Sequence, residues 1–287
     1  MRFVSSKSLP SSLLPRSGTG VNRQNGDMTS AFATLPTQRT RRRILRIGIA
    51  AVAVVVLVTV AFLFYASIVA HGDRQASIDV FQNAKVSVTS TDNSIVLTPT
   101  GPASGDGLIF IPGAKVDPYA YMYKLSGIVE TSGVTVVITK PTLNLAFFDQ
   151  RPLSTFTADA PDVGTWFVGG HSLGGVRACQ LAAVNEGRDV AGLVLFGSYC
   201  ANDLSGSALR VLSIGGSEDG LSTPQKIDDA AALLPSDAVF VQVEGLNHAG
   251  FGDYGAQAGD NGSSLNRTEQ RTAITDELLV LFPPLTG

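Results

Sequence analysis

Between Thr165 and Leu181 the chain reads TWFVGGHSLGGVRACQL, and this stretch limits the fold more than any other. An apolar run, Trp166 to Val168, leads into Gly170-His171-Ser172-Leu173-Gly174, and small and apolar residues at helical spacing follow (Val176, Cys179, Leu181). The local order is strand, tight turn, helix. A G-x-S-x-G turn forces its serine into a strained backbone conformation at the tip of a strand, while the flanking glycines let neighbouring backbone pass without a Cβ clash. Ser172 is therefore the candidate nucleophile, with its hydroxyl expected to stand clear of the sheet.

Around this turn, strand and helix patterns alternate. Leu108–Ile111, Val134–Ile138, Val190–Phe196, Val211–Ile214 and Ala238–Val243 are short, near-continuous apolar runs, as strands covered on both faces require. Val86 to Thr98 alternates as a hairpin or edge strands would. Asp117-Pro118 opens a helix, with Asp as cap and Pro in the first turn. Further helices are expected over Ser222–Leu234 and about Arg267–Phe282, and a loop with a short helix over 141–163. Repeated strand–helix units predict an α/β fold, a mostly parallel doubly wound sheet with helices on both faces. That domain is expected over residues 93–287, with 71–92 as a polar linker and the start of the fold.

The other end of the chain differs in kind. Residues 1–46 carry nine basic groups against one acid, a balance of +8, while the whole chain sums to −3, so residues 47–287 carry −11. The tail is rich in Ser, Thr, Gly and Pro and is expected to be disordered and cytoplasmic; Met28 offers a second start. Ile47–Ala70 follows, 24 residues without a charge. At about 1.5 Å per residue such a helix covers about 36 Å, enough to cross a hydrocarbon core of about 30 Å. It exceeds the apolar core of about 7–15 residues usual in a signal peptide, and Ile68-Val69-Ala70 is a poor cleavage site, so an uncleaved anchor is expected. Arg39, Arg41, Arg42, Arg43 and Arg46 precede it and only Arg74 closely follows. This bias places the N-terminus in the cytoplasm and the remainder outside it, with the lipid bilayer as a partner through residues 47–70. The acidic remainder argues against a nucleic-acid partner.

A serine hydroxyl needs a base within reach and a third group to orient that base. The chain holds three histidines. His71 lies at the membrane boundary, and His171 neighbours Ser172, where successive side chains diverge. That leaves His248, in a loop after the final strand, at the sheet edge where strand carboxyl ends place catalytic loops. The orienting acid should fall between the two in the chain. Asp219, before Gly220 in Gly215-Gly216-Ser217-Glu218-Asp219-Gly220, fits best, with Glu218 and Asp203 as rivals. Backbone N–H groups of Leu173 and Ala114 are expected to stabilise an oxyanion, with Gly113 permitting close approach. Lys115 is either a solvated loop lysine or a contact for an anionic substrate group. Cys179 and Cys200 are too few for a disulfide framework; one bridge or two buried thiols both fit.

The order PGAKV, GHSLGG, GGSEDG, NHAGFGDYG resembles the α/β-hydrolase superfamily and is similar, more narrowly, to small lidless bacterial hydrolases related to dienelactone hydrolases. The likeness covers about residue 93 to the end, and its most specific part is the His loop with its aromatic-glycine run and Gln257-Ala258-Gly259-Asp260. The resemblance implies Ser172, Asp219 and His248 as a triad, Ala114 and Leu173 as the oxyanion hole, and no metal or organic cofactor. Pro112 stands where lipases and peptidases of this fold usually have His. The 14 residues between Phe196 and Val211 leave no room for a cap, so an open pocket is expected. The expected activity is hydrolysis of a small-molecule ester, lactone or thioester through an acyl-enzyme. A non-catalytic binding or envelope-scaffold protein on the same fold is the alternative, and amide cleavage would use the same residues.

Overall fold

A computed structural model describes residues 38–185, 187 and 189–285. The chain divides after Val55 into two compact units. The described part of the first is the opening stretch of helix α1 (Gln38–Ser67). This helix is long and apolar enough to cross a membrane. It starts nine residues before the expected span and takes in the five arginines that were expected in a structureless tail. Arginine is a good helix former, and a helix nucleated by the apolar run extends through it at little cost. The tail expected over residues 1–37 lies outside the described residues.

The second unit is built on an eight-stranded sheet in the order β1-β2-β4-β3-β5-β6-β7-β8. The strands are β1 (Val86–Ser90), β2 (Ser94–Pro99), β3 (Asp106–Ile111), β4 (Thr135–Thr139), β5 (Thr165–His171), β6 (Val190–Phe196), β7 (Arg210–Gly216) and β8 (Val239–Val243). β1 and β2 form the antiparallel edge, and β3 to β8 run parallel. Side-chain alternation divides the core between the two faces. Leu108 and Phe110 of β3 pack on one side with Leu125, Ile128, Ile274 and Leu278. Those partners belong to α3 (Met122–Ser132) and α7 (Arg267–Leu278). Ile109 and Ile111 pack on the other side with Ala178, Leu181 and Ala182 of α5 (Leu173–Asn185). This is the doubly wound parallel sheet expected from the alternating pattern. Residues 197–209, between β6 and β7, carry no helix, so no cap domain is inserted there.

Two expectations about elements are corrected. The segment read as a polar spacer contains helix α2 (Arg74–Phe81), capped by the Asp73 side chain on Ala76 N, with Ala76 and Val80 buried. Eight residues with a two-residue apolar stripe give too short a period to read. Ser222–Leu234, read as one helix, is α6 (Pro224–Asp229), a break at Ala230, and a single 3-10 turn over Ala231–Leu233. The short helix in the 141–163 segment is α4 (Ser154–Thr157). A disulfide joins Cys179 on α5 to Cys200 beyond β6, with Cα atoms 5.6 Å apart.

Candidate active site

The chain enters β3, goes out to β4, and returns to place β5 on the other side of β3. Ligands of open α/β sheets bind where the strand order reverses, outside the carboxyl ends. The carboxyl end of β5 is Gly170-His171, and Ser172 follows with φ +52°, a left-handed conformation rare outside glycine. Its backbone is fixed on three sides: Ser172 N donates to Phe196 O at 3.1 Å, and Ser172 O accepts from Gly175 N at 3.0 Å and from Ser198 Oγ at 2.7 Å. The strain is held by the strand ahead, the helix behind and the neighbouring strand.

Asp219 and His248 meet at the same edge. His248 Nδ1 lies 2.8 Å from Asp219 Oδ2, and both side chains are buried. Asp219 Oδ1 accepts from Leu221 N at 2.8 Å and Ser222 N at 2.7 Å, so the carboxylate is oriented by its own turn. An acceptor-only carboxylate beside Nδ1 puts the imidazole proton on that nitrogen. His248 Nε2 is left as a buried atom with no hydrogen-bond partner, Ser172 Oγ included. Gly197, φ +47°, passes so close that a Cβ there would stand 2.8 Å from Asp219 Oδ2 and 2.9 Å from the Phe251 ring. Of the rival acids, Asp203 is exposed and accepts from Ser205 N, while Glu218 is half-buried beside the turn.

Three residues without an expected role complete the arrangement. Asp260 Oδ1 accepts from Gly220 N at 3.0 Å and His248 N at 3.2 Å, and its Oδ2 accepts from Ala249 N at 2.8 Å. One carboxylate thus ties the acid turn to the histidine loop. Tyr121 accepts Gly113 N–H at 3.0 Å, which leaves its own proton for His171 Nδ1 at 2.9 Å. His171 in turn packs against His248 with the rings tilted by 46° and their centroids 4.4 Å apart. Burial, with the charge of His248 second, holds the His171 pKa well below the usual imidazole value, so it stays neutral beside His248. Burial also pushes the Tyr121 hydroxyl upward, so it remains a proton donor. A Cβ on Gly113 would fall 2.9 Å from His171 Nδ1 and 3.1 Å from Tyr121 Oη, which is why this turn holds glycine.

The turn after β3 carries Ala114. It is fixed on either side by Tyr121 holding Gly113 and by Lys115 N donating to Asn144 O at 2.7 Å. Lys115 itself has φ +60° and sets its ammonium 3.7 Å from the Tyr65 ring centroid. Leu173, the first residue of α5, is exposed beside Ser172. His71, set aside as a base, lies 3.5 Å from Asp117 at the surface. Among the described residues, no group of three or more His, Cys, Asp or Glu side chains is placed to hold a metal. A cavity of about 600 Å³ opens near Trp166 and Val190, at the amino ends of β5 and β6, on the edge opposite Ser172.

The profile of the Alpha/beta hydrolase family matches residues 107–272. None of the curated protein sequences matches the chain. Among solved structures, the naproxen esterase (carboxylesterase NP) of Bacillus subtilis is similar at 11% identity and TM-score 0.50, over 72% of this chain and 95% of that one. A lidless a/b serine hydrolase from Xanthomonas campestris is similar at 14% identity and TM-score 0.48, over 71% and 98%.

Proposed function

Because the chain belongs to the alpha/beta hydrolase family, we propose that it is a serine ester hydrolase held at a membrane by α1, with its catalytic body on the extracytoplasmic side. Ser172 Oγ attacks the carbonyl carbon of an ester, lactone or thioester as His248 Nε2 takes its proton. Asp219 keeps the imidazole in the required tautomer and stabilises the imidazolium that forms. Backbone N–H groups of Ala114 and Leu173 receive the oxyanion. His248 returns the proton to the leaving oxygen or sulfur, and water then releases the acyl group by the same route.

The observation that carries this reading is a buried imidazole whose Nδ1 meets Asp219 and whose Nε2 has no other partner, at the sheet edge that bears the strained Ser172. Two further features support the location. Five arginines precede the apolar part of α1, and the body holds a disulfide, which persists in oxidising compartments. The purified full chain in detergent should label with a fluorophosphonate probe, and Ser172→Ala should abolish labelling. The same variant should lower kcat/KM on short-chain esters by about 10³-fold or more. Unaltered labelling of Ser172→Ala would overturn the assignment, and labelling of the wild type with no turnover across an ester panel would favour a binding protein.

A further inference from the structure

The last turns of α1 belong to the same compact unit as the sheet, Val56–Gly287. They are seated on the turns that flank the candidate site. Ala66 is buried. Tyr65 lies under the Lys115 ammonium, one residue from Ala114. Phe62 meets Phe148 edge to face, ring centroids 5.7 Å apart. Three residues beyond the helix, Ala70 N donates to Lys115 O at 2.7 Å and Asp117 N to Ala70 O at 2.9 Å.

Depth follows from helix rise. Ile47 to Ser67 covers about 32 Å, close to the hydrocarbon thickness of about 30 Å, so Ser67 stands near the boundary where the helix leaves the bilayer. Phe62 lies about 8 Å below that point along the helix, within the acyl boundary. Phe148 touches it and must lie at a similar depth. Phe148 and its neighbour Phe147 are 52% and 60% exposed, and Leu143 and Leu173 are also exposed. They cluster by the chain's own connections: Asn144 O receives Lys115 N, and Arg177 of α5 holds Asp149 O at 3.1 Å. The segment carrying Leu143, Phe147 and Phe148 thus lies between the Ala114 turn and α5, the helix that follows Ser172, and through Phe148 it is continuous with the apolar surface of α1.

Resting on the proposed anchored hydrolase, we infer that the rim of Leu143, Phe147, Phe148 and Leu173 sits in the leaflet that α1 leaves, and that the site takes amphiphilic esters from that leaflet. The acyl chain of such a substrate stays among lipid tails while its carbonyl reaches Ser172 at the polar boundary. Aromatic rings, and a lysine whose ammonium lies over one of them, are the side chains that suit this depth. Exposed phenylalanines facing water would have no comparable reason to be there.

The test uses full-length protein in vesicles of phosphatidylcholine and phosphatidylglycerol in equal parts. In a Trp166→Phe background, Phe147→Trp supplies one fluorophore. Its emission is expected to shift to the blue and to be quenched severalfold by lipids brominated on the acyl chain. Turnover of vesicle-borne p-nitrophenyl palmitate relative to water-soluble p-nitrophenyl acetate is expected to fall at least tenfold in Phe147→Ser/Phe148→Ser. Protein that floats with the vesicles but shows water-like, unquenched emission at position 147 overturns the inference and leaves the hydrolase reading standing. So does an unchanged palmitate-to-acetate ratio. Absence of turnover on either ester by the wild type overturns the hydrolase reading, while quenching still reports the placement of the rim. Protein that does not float overturns the anchored reading and this inference together.

Discussion

Tyr121 holds the turn proposed to receive the oxyanion, through Gly113 and not through a substrate. Its oxygen is the acceptor for Gly113 N–H, one residue before Ala114, and its proton goes to His171. Tyr121→Phe leaves a buried N–H unpaired, at a cost of about 1–3 kcal/mol, and frees the turn to move. The expected result is a fall in kcat of about tenfold with KM nearly unchanged, as for an interaction realised mainly in the transition state. A purely structural role would lower stability and leave the kcat-to-KM split unmoved. His171 makes a second prediction, in pH. Burial depresses its pKa in the folded chain, so below the ordinary value of about 6.5 the unfolded chain binds a proton that the folded chain refuses. The contribution to stability is complete above about pH 6.5 and is lost as pH falls toward the folded-state pKa, with a slope of at most about 1.4 kcal/mol per pH unit. Denaturant unfolding of the wild type and His171→Phe at about pH 7.5 and about pH 5 should show the flatter pH dependence in the variant.

At the scale of elements, α3 is bound to the histidine loop by a buried ion pair. Lys124 Nζ donates to Asp253 Oδ1 at 2.7 Å and to Arg267 O at 3.3 Å, with the side chains of Lys124 and Asp253 both out of solvent. Burial lowers the Lys124 pKa and raises that of Asp253, each opposed by the other's charge. Lys124→Met removes one partner and strands the other, so thermal or urea unfolding should report a loss of about 3–5 kcal/mol. Lys124→Met/Asp253→Asn should lose less than the sum of its single variants.

The parallel strands, the Ser172 turn and the loops bearing Asp219 and His248 were legible because each has a local signature: an apolar run, flanking glycines, a position after a strand. Asp117 capping Pro118 was legible for the same reason. The Asp260 clamp and the Tyr121–His171 link were not, because a side chain bonding to distant backbone leaves no spacing to read. The divergence expected of neighbouring side chains gives His171 no role beside Ser172, yet its ring lies against that of His248.

At the scale of the whole molecule, Cys179–Cys200 fastens the helix behind Ser172 to the chain after the adjacent strand. The bond closes a loop with a sequence separation of 21, which in the chain-entropy account stabilises the fold by about 3 kcal/mol. The purified protein should take up alkylating reagent only after denaturation and reduction. Cys179→Ala/Cys200→Ala should unfold at lower denaturant, and equal stability of the two forms would show that the bond contributes nothing. The charge pattern divides along the chain as well, with basic residues before the apolar helix and an acidic excess after it.

Only Ile68 and Val69 stand between the last helical residue, Ser67, and the Ala70 pairing. So short a join gives the body no leash on which to swing away from the helix end. For the anchored hydrolase proposed above, such a mounting would make the search for substrate one over a plane rather than through a volume. Its supply would then be set by lateral diffusion beneath it, and a molecule only a few nanometres overhead would be out of its reach.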